Sequence, residues 1–202
     1  MSIITEKRLR REIERQKLVV TPLLDPGQIE GGSVNVRLGT RLIMTKRQEY
    51  PFIDPEKLSR ERIGKFQTKV SLVLGYHFIL HPGELVLAAT LEFIHLPPYF
   101  SGYVVSRSSY GRIGLIVATA TYIHPDWRGC LTLELVNAGN VPIKLRCGAP
   151  IAQLIVQHAT PKYIEPNQTS IPTGPAFSIL DRDPTWRRLA NLRSLWKTEE
   201  SE

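Results

Sequence analysis

The chain has 202 residues and a hydrophobic content of 42%, enough for one domain of ordinary size with a packed core. Its formal net charge is +7, but the basic residues are spread and the densest group, residues 6–15, is interleaved with acids, so we expect no nucleic-acid partner. No apolar stretch approaches the roughly 18 residues of a membrane span, and charged residues begin at position 6, so we expect a cytoplasmic protein without signal peptide or membrane contact.

The N-terminal segment predicts a short helix from residue 5 to about residue 16. Thr5 is a suitable cap, and Leu9 and Ile13 lie four residues apart on one face. The Pro- and Gly-rich stretch that follows ends helical structure. Residues 33–44 then alternate between apolar and polar side chains, which predicts a half-buried strand.

The rest of the chain predicts mainly β structure. Residues 45–70 are polar, and we expect them to be irregular and to form a lid or an insertion. Short strands recur from Val70 at about ten-residue spacing, and Asn-Ala-Gly-Asn at 137–140 is typical of a hairpin turn. This pattern predicts a sandwich or a barrel. A second amphipathic helix is expected at about 183–197, with Asp183 as its cap.

A cluster of hydroxyl and guanidinium groups occupies residues 106–112. Arg107 and Arg112 offer planar donors that suit phosphate oxygens, and Ser108 and Ser109 add hydroxyl groups. The segment is therefore either a phosphate-binding turn or an ordinary polar turn between two strands.

Glu134 stands alone in an apolar strand, Leu-Thr-Leu-Glu-Leu-Val at 131–136. Glutamate is depleted in strands, so its presence needs an explanation. It is either an exposed residue of the outer face or a partly buried carboxylate. In the second case desolvation would raise its pKa and suit it to move protons.

The segment at 122–129, Tyr-Ile-His-Pro-Asp-Trp-Arg-Gly, carries three further polar candidates. His124 could be a base, a hydrogen-bonding partner or a packed turn residue. We interpret Asp126 as stabilising the turn after the proline. Arg128 could bind a phosphate or form a surface ion pair.

The order of these segments resembles the dCTP deaminase branch of the dUTPase-like superfamily, over roughly residues 5–180. The segments that carry the resemblance are GGSVNVRLG (31–39), HPGELVLAATLE (81–92), SRSSYGRIGLIV (106–117) and the run from Asp126 to Val156. The resemblance implies a distorted β-barrel or jelly-roll-like fold, in one domain over 1–202 with a core at about 18–180. It also implies a homotrimer with active sites at subunit interfaces. The implied ligand is a deoxynucleoside triphosphate with Mg²⁺ bound through its phosphates.

The resemblance assigns catalysis to three residues. Glu134 matches the family's catalytic glutamate, and Ser108 and Arg112 match the serine and arginine beside the base. Glu134 would take a proton from water and pass it toward the leaving amine, while the other two hold base and water. By the same matching, the substrate-binding residues are Arg107, Ser109, Ala120, His124, Gln153 and Tyr163.

The chain departs from the family pattern around His124, which stands where the family usually has an aspartate that contacts the deoxyribose. An imidazole can still hydrogen-bond a 3′-hydroxyl. The preceding segment is one residue shorter than usual, so the alanine whose carbonyl holds the water could be Ala118 or Ala120, and we assign Ala120.

The tail is a further departure, because Gln168 and Pro172 stand where the family has a lysine and a glutamine. A lysine on the triphosphate is therefore missing, although Lys162 or the C-terminal arginines could substitute. No zinc is expected, since Cys130 and Cys147 lack the Cys-x-x-Cys spacing and no His-x-Glu accompanies them.

The leading functional expectation is hydrolysis of dCTP to dUTP and ammonia. One alternative is a dUTPase-type pyrophosphatase, although His124 occupies the place of the aspartate that such chemistry needs. The other is a trimeric nucleotide-binding or regulatory protein that has kept the fold without turnover.

Overall fold

A computed structural model describes residues 2–45, 66–118, 122–160 and 171–175 of the chain. The first elements are α1 (Glu6–Glu14), β1 (Val19–Thr21), a 3₁₀ turn (Pro26–Gln28), β2 (Ile29–Glu30), β3 (Ser33–Thr45), β4 (Gln67–Ser71), β5 (His77–Leu80) and β6 (Leu85–His95). Then follow β7 (Phe100–Ser106), the one-turn helix α2 (Ser108–Gly111), β8 (Leu115–Val117), β9 (Tyr122–Ile123), β10 (Arg128–Asn137), β11 (Ile143–Arg146) and β12 (Pro150–His158). The mainly β architecture predicted from the sequence is confirmed.

The N-terminal helix forms where its cap predicted it. The Thr5 hydroxyl accepts the Arg8 N–H at 3.4 Å, and Leu9 is fully buried. The helix ends at Glu14 rather than near residue 16, because Gln16 has a φ of 55° in the left-handed region.

Ten of the strands form one antiparallel sheet with the main order β8-β10-β6-β3-β12-β7-β9. β1 pairs with β6, while β2 and β4 pair with β3; β5 and β11 form a separate two-stranded sheet. This order places the strand that carries Glu134, β10, between β6 and the short strand β8.

The long strand β3 connects the two halves of the sheet. Its first part pairs with β12 and its second part with β6, with a shift of register between Leu38 and Leu42. Gly39 lies within this shift, and a Cβ there would stand 2.7 Å from the Ala89 carbonyl oxygen. Only glycine therefore permits the close approach of the two strands at this point.

The core is filled by the inward-facing residues of alternating strands. On β10, Leu131, Leu133 and Leu135 are buried while the residues between them are partly exposed, which confirms the alternation predicted at 131–136. Burial of one such leucine side chain stabilises the fold by roughly 1.5–3 kcal/mol.

A polar network crosses this core at Glu92, whose side chain is fully buried on β6. One carboxylate oxygen accepts the Gln28 side-chain amide at 2.8 Å, and the other accepts the Arg37 backbone N–H at 2.8 Å. Burial raises the pKa of Glu92, while the hydrogen bonds from Arg37 and Gln28 oppose that rise.

The chain divides into two compact units by its internal contacts. The first comprises residues 1–45 and 68–176. The second comprises residues 46–67 and 177–202, of which only 66 and 67 are described. The assignment of the whole chain to one domain stays a prediction.

Two sequence expectations meet the limits of the described residues. The C-terminal helix expected at 183–197 and most of the segment 45–70 lie outside them. At the end of that segment, Gln67–Ser71 forms strand β4 against β3, where we expected irregular structure. Within the described ranges, no helix is long and apolar enough to cross a membrane.

Candidate active site

The hydroxyl and guanidinium cluster forms a single helical turn after β7. The Arg107 carbonyl accepts the N–H groups of Tyr110 and Gly111 at 3.0 Å each, which closes the turn. Ser108, Ser109 and Arg112 are exposed and Arg107 is half-buried. The turn therefore presents its polar side chains away from the core.

Glu134 lies half-buried on the outer face of β10, between two fully buried leucines. Its cross-strand partner is Leu87 on β6, and its backbone carbonyl accepts the Ala118 N–H at 2.7 Å. Of the two alternatives from the sequence, the structure favours a partly buried carboxylate.

Ser106 connects the turn to the strand beside Glu134. Its hydroxyl oxygen accepts the Val117 N–H at 2.9 Å, and Val117 pairs in register with Leu135 on β10. Strand β8 is thus held by the end of β7 on one side and by β10 on the other. Since Arg107 follows Ser106 directly, this contact fixes the start of the turn relative to β10.

The predicted catalytic side chains have no partners among the described residues. Glu134, Ser108 and Arg112 make no side-chain hydrogen bond and no ion pair there, and the same holds for Arg107 and Ser109. A half-buried carboxylate and two guanidinium groups are therefore available to bind a ligand.

The segment from Tyr122 to Arg128 brings aromatic and charged groups to the edge strand β9. The exposed His124 ring meets the Tyr122 ring edge-on, with centroids 4.9 Å apart. Asp126 has a φ of 60°, as expected of a turn residue, and its carboxylate lies 3.2 Å from Arg128 and 3.6 Å from His95. Arg128 thus forms the surface pair that was one of its two alternatives.

Gln153 serves as a tie between strands. Its side-chain amide donates to the Ser33 hydroxyl at 3.2 Å and to the Asn35 side-chain oxygen at 3.3 Å. These contacts link β12 to β3, and its role toward a substrate stays a prediction. Ala120 and Tyr163, the remaining predicted substrate contacts, lie outside the described residues, as do Lys162 and Gln168.

Part of the tail packs against the sheet. The Pro172 carbonyl oxygen accepts the Cys130 N–H at 2.8 Å. Gly129, with a φ of 137°, has no room for a side chain, because a Cβ there would stand 2.6 Å from the Pro172 ring. Residues 171–175 therefore run alongside the beginning of β10, with Pro172 in contact with it.

Sequence reasoning missed a cavity of about 450 Å³ beside this tail. It lies between β3, β4 and residues 173–175, and its polar lining comes from Arg41, Lys69, Ser71 and Thr173. The alternation of β3 places Arg41 on the same side as Ile43, but no motif marks either residue.

In the part of the chain that the structure describes, no group of three His, Cys, Asp or Glu side chains is arranged to hold a metal ion. Cys130 is half-buried and Cys147 buried, and burial raises the pKa of both thiols.

The model of a family described as dCTP deaminase-like matches residues 3–159. A protein of Methanobrevibacter smithii named "dCTP deaminase, dUMP-forming" is 35% identical over 161 residues, which is 79% of this chain and 82% of that protein. A protein of Halorubrum lacusprofundi named "dCTP deaminase" is 36% identical over 155 residues, covering 76% of this chain and 75% of its own.

Among solved structures, the chain is similar to the 2′-deoxycytidine 5′-triphosphate deaminase of Agrobacterium tumefaciens. The TM-score is 0.61 at 22% sequence identity, over 78% of this chain and 48% of that one. This chain thus spans about half the length of that structure, and the likeness establishes a common fold.

Proposed function

Since the chain belongs to the dCTP deaminase-like family, as the sequence predicted, we propose that it catalyses the hydrolytic deamination of dCTP. The proposal is supported by the family match over residues 3–159 and by relatives at 35% and 36% identity that carry the name of this activity. The structural observation that supports it is the carboxylate of Glu134, which is half-buried and has no partner among the described residues.

In the proposed mechanism, Glu134 is the general base. It takes a proton from water, whose oxygen forms a bond to C4 of cytosine, and passes that proton to N3. It then takes the proton of the resulting C4 hydroxyl group and passes it to the 4-amino group. The C4–N4 bond then breaks, and ammonia leaves. Its place on β10 between two buried leucines fixes the backbone from which the carboxylate extends.

The turn at 107–112 is proposed to bind the rest of the nucleotide. Ser108 and Arg112 hold the base and the water, while Arg107 and Ser109 bind phosphate oxygens through charge-assisted and hydroxyl hydrogen bonds. His124, exposed beside Tyr122, is proposed to hydrogen-bond the 3′-hydroxyl of the sugar.

The Mg²⁺ ion in this proposal arrives with the nucleotide. The described residues include no group of three acidic, His or Cys side chains that could hold a metal, so phosphate oxygens would supply its ligands. Bound in this way, the ion would neutralise phosphate charge, and we assign the activation of water to Glu134 rather than to zinc.

For the product, we propose dUMP in place of the dUTP expected from the sequence. Of the two relatives described above, that of Methanobrevibacter smithii has a name that specifies the product and is called dUMP-forming. The complete reaction then consumes two waters, one replacing the amino group and one cleaving the bond between the α- and β-phosphates. It releases ammonia and pyrophosphate.

We also propose that the protein acts as a homotrimer, with the sheet face that carries Glu134 at the interface. Next to Glu134, three apolar residues of neighbouring strands stand in register: Leu85, Val136 and Ile116. Leu85 is 42% and Ile116 47% exposed. An apolar row of this kind is better covered by a partner subunit than left in water.

Light scattering after size exclusion tests the trimer. The wild type should have a mass near three chains, and Leu85→Asp should dissociate it, because it would bury an unpaired charge in the interface. Ile79→Asp changes an exposed residue of the separate two-stranded sheet and is the matched control. A monomeric wild type at micromolar concentration contradicts the proposal.

A product assay tests the reaction. The protein is incubated with Mg²⁺ and, separately, with dCTP, CTP, dCMP and dUTP, and ammonia, pyrophosphate and uracil nucleotides are measured. Ammonia and pyrophosphate in equal amounts from dCTP are expected. Ammonia without pyrophosphate would restore dUTP as the product, pyrophosphate from dUTP alone would indicate a dUTPase, and binding without turnover would indicate a regulatory protein.

A further inference from the structure

The described residues that line the cavity between β3, β4 and the tail carry charge of one sign. The cavity volume of about 450 Å³ falls in the range of small-molecule sites. Among the described residues that line it, Arg41 and Lys69 are cationic, Ser71 and Thr173 carry hydroxyl groups, and none is acidic. Such a lining favours an anion.

Arg41 is held in place at the wall of this cavity. One of its terminal nitrogens donates to the Thr173 hydroxyl at 3.2 Å and to the Thr173 carbonyl at 3.5 Å. Gly174 lets the tail lie against the arginine stem, since a Cβ there would stand 3.2 Å from the Arg41 Cδ. Within the described ranges the guanidinium has no carboxylate partner, so its other N–H groups can bind an anion.

The two cations come from neighbouring strands that converge on this cavity. Lys69 and Ser71 are two residues apart on β4, so both point to the same side of the strand. β4 pairs with β3, which carries Arg41. A planar guanidinium, an ammonium group and two hydroxyls around one space are donors suited to the oxygens of a polyphosphate.

The cavity also lies near the proposed catalytic carboxylate. Ile43, which lines it, pairs in register with Leu87, and Leu87 pairs with Glu134 on the next strand. Two strand spacings correspond to about 10 Å across the sheet. None of the described residues that line the cavity belongs to the 107–112 turn.

We propose that this cavity is a second anion site, separate from the 107–112 turn, and that it binds a pyrophosphate-type group through Arg41 and Lys69. The group is either the polyphosphate of a nucleotide held at Glu134 or a free pyrophosphate. The site is defined by its own residues and does not depend on the proposed deamination.

Calorimetric titration of the full-length protein with inorganic pyrophosphate, without Mg²⁺ or nucleotide, tests the site. Arg41→Met and Lys69→Met should each weaken binding tenfold or more, because each removes a charge-assisted contact. Arg146→Met, an exposed cation of β11, is the charge-matched control and should bind as the wild type does. Thermal melting of each variant verifies that it is folded.

Two results overturn the proposal. One is a wild type that does not bind pyrophosphate at millimolar concentration. The other is a pair of folded variants, Arg41→Met and Lys69→Met, that bind it as the wild type does, since the anion would then be held elsewhere. Neither result bears on deamination, which is measured separately by ammonia release.

A second experiment, which measures turnover of dCTP, shows whether the anion is the polyphosphate of the nucleotide or free pyrophosphate. If the cavity takes the polyphosphate of the nucleotide, Arg41→Met raises KM for dCTP about tenfold or more with little change in kcat. If it takes free pyrophosphate, KM stays at the wild-type value while inhibition by added pyrophosphate is lost. Each outcome supports the site and assigns its ligand.

Discussion

Replacement of the buried Gln28 by alanine is expected to destabilise the protein, and more strongly as pH rises. Gln28 is 2% exposed, and its amide donates to the Asn35 carbonyl at 3.0 Å and to Glu92 at 2.8 Å. Its side-chain oxygen accepts the Leu24 N–H at 3.1 Å. In the variant the Leu24 N–H can hydrogen-bond water, since that residue is exposed. The Asn35 carbonyl and the Glu92 carboxylate, however, lose the Gln28 amide as a donor.

The magnitude follows from those two acceptors. A buried polar group left without its partner costs about 1–3 kcal/mol, so the variant should lose about 2–6 kcal/mol near neutral pH. Small domains are stable by only about 5–15 kcal/mol, so the loss is easily measured.

The pH dependence follows from the buried carboxylate. Burial raises the pKa of Glu92, and the Gln28 hydrogen bond is one of the contacts that lower it, so its removal raises that pKa further. Between the pKa of Glu92 in the unfolded chain and its higher pKa in the folded protein, the folded protein holds a proton that the unfolded chain has released. Stability therefore falls as pH rises through this interval. This interval is wider in the variant. The loss in its free energy of unfolding relative to the wild type should therefore be larger near about pH 8 than near about pH 5.

Urea unfolding at both pH values, at one protein concentration, provides the measurement. Asn140→Ala, which removes an exposed amide, is the matched control and should change the free energy of unfolding by less than about 0.5 kcal/mol. A loss below about 1 kcal/mol for Gln28→Ala would show that its two hydrogen bonds do not stabilise the fold, and an equal loss at both pH values would show that Gln28 does not affect the titration of Glu92.

Three further outcomes are expected. Ser106→Ala removes the acceptor of the Val117 N–H, so it should lower the turnover of dCTP and cost about 1 kcal/mol of stability, and Ser106→Thr should restore both. Wild-type turnover in Ser106→Ala would show that the contact between Ser106 and Val117 does not support the active site. Gly114→Ala should cost at least about 1–3 kcal/mol in thermal unfolding, because its φ is 93° and a Cβ would meet a backbone nitrogen at 2.6 Å; an unchanged Tm would contradict this. Cys130 and Cys147 should react slowly with a thiol reagent near neutral pH and rapidly in denaturant, because burial raises the pKa of both thiols, and equal rates would show that they are accessible.

Local sequence patterns predicted the elements that depend on local physics. The Thr5 cap marked α1, and the alternation at 131–136 marked the strand of Glu134, since burial on one face imposes a period of two. Strand β4 was missed because Gln67–Ser71 is polar and is ordered by its pairing with β3, a contact that its own residues do not encode.

The residues of the candidate site also fall into those that a local sequence pattern predicts and those that only the fold brings together. The turn at 107–112 could be recognised because its polar groups are consecutive. Arg41 and Thr173 are 132 residues apart, and Gln28 and Glu92 are 64 apart, so no spacing rule could bring either pair together. Partial burial of Glu134 was one of two alternatives and was decided by the fold, because β6 and β8 pair with β10 on either side.

The rate of ammonia release from dCTP by Glu134→Gln tests whether Glu134 is the general base. The substitution keeps the size of the side chain but removes its ability to accept a proton, so the rate should fall by about 10²–10⁴ relative to the wild type. Binding of dCTP should persist, because the 107–112 turn is unchanged, and Glu30→Gln, an exposed strand residue, should release ammonia at the wild-type rate. Release of ammonia by Glu134→Gln at the wild-type rate would contradict the assignment of Glu134 as the general base.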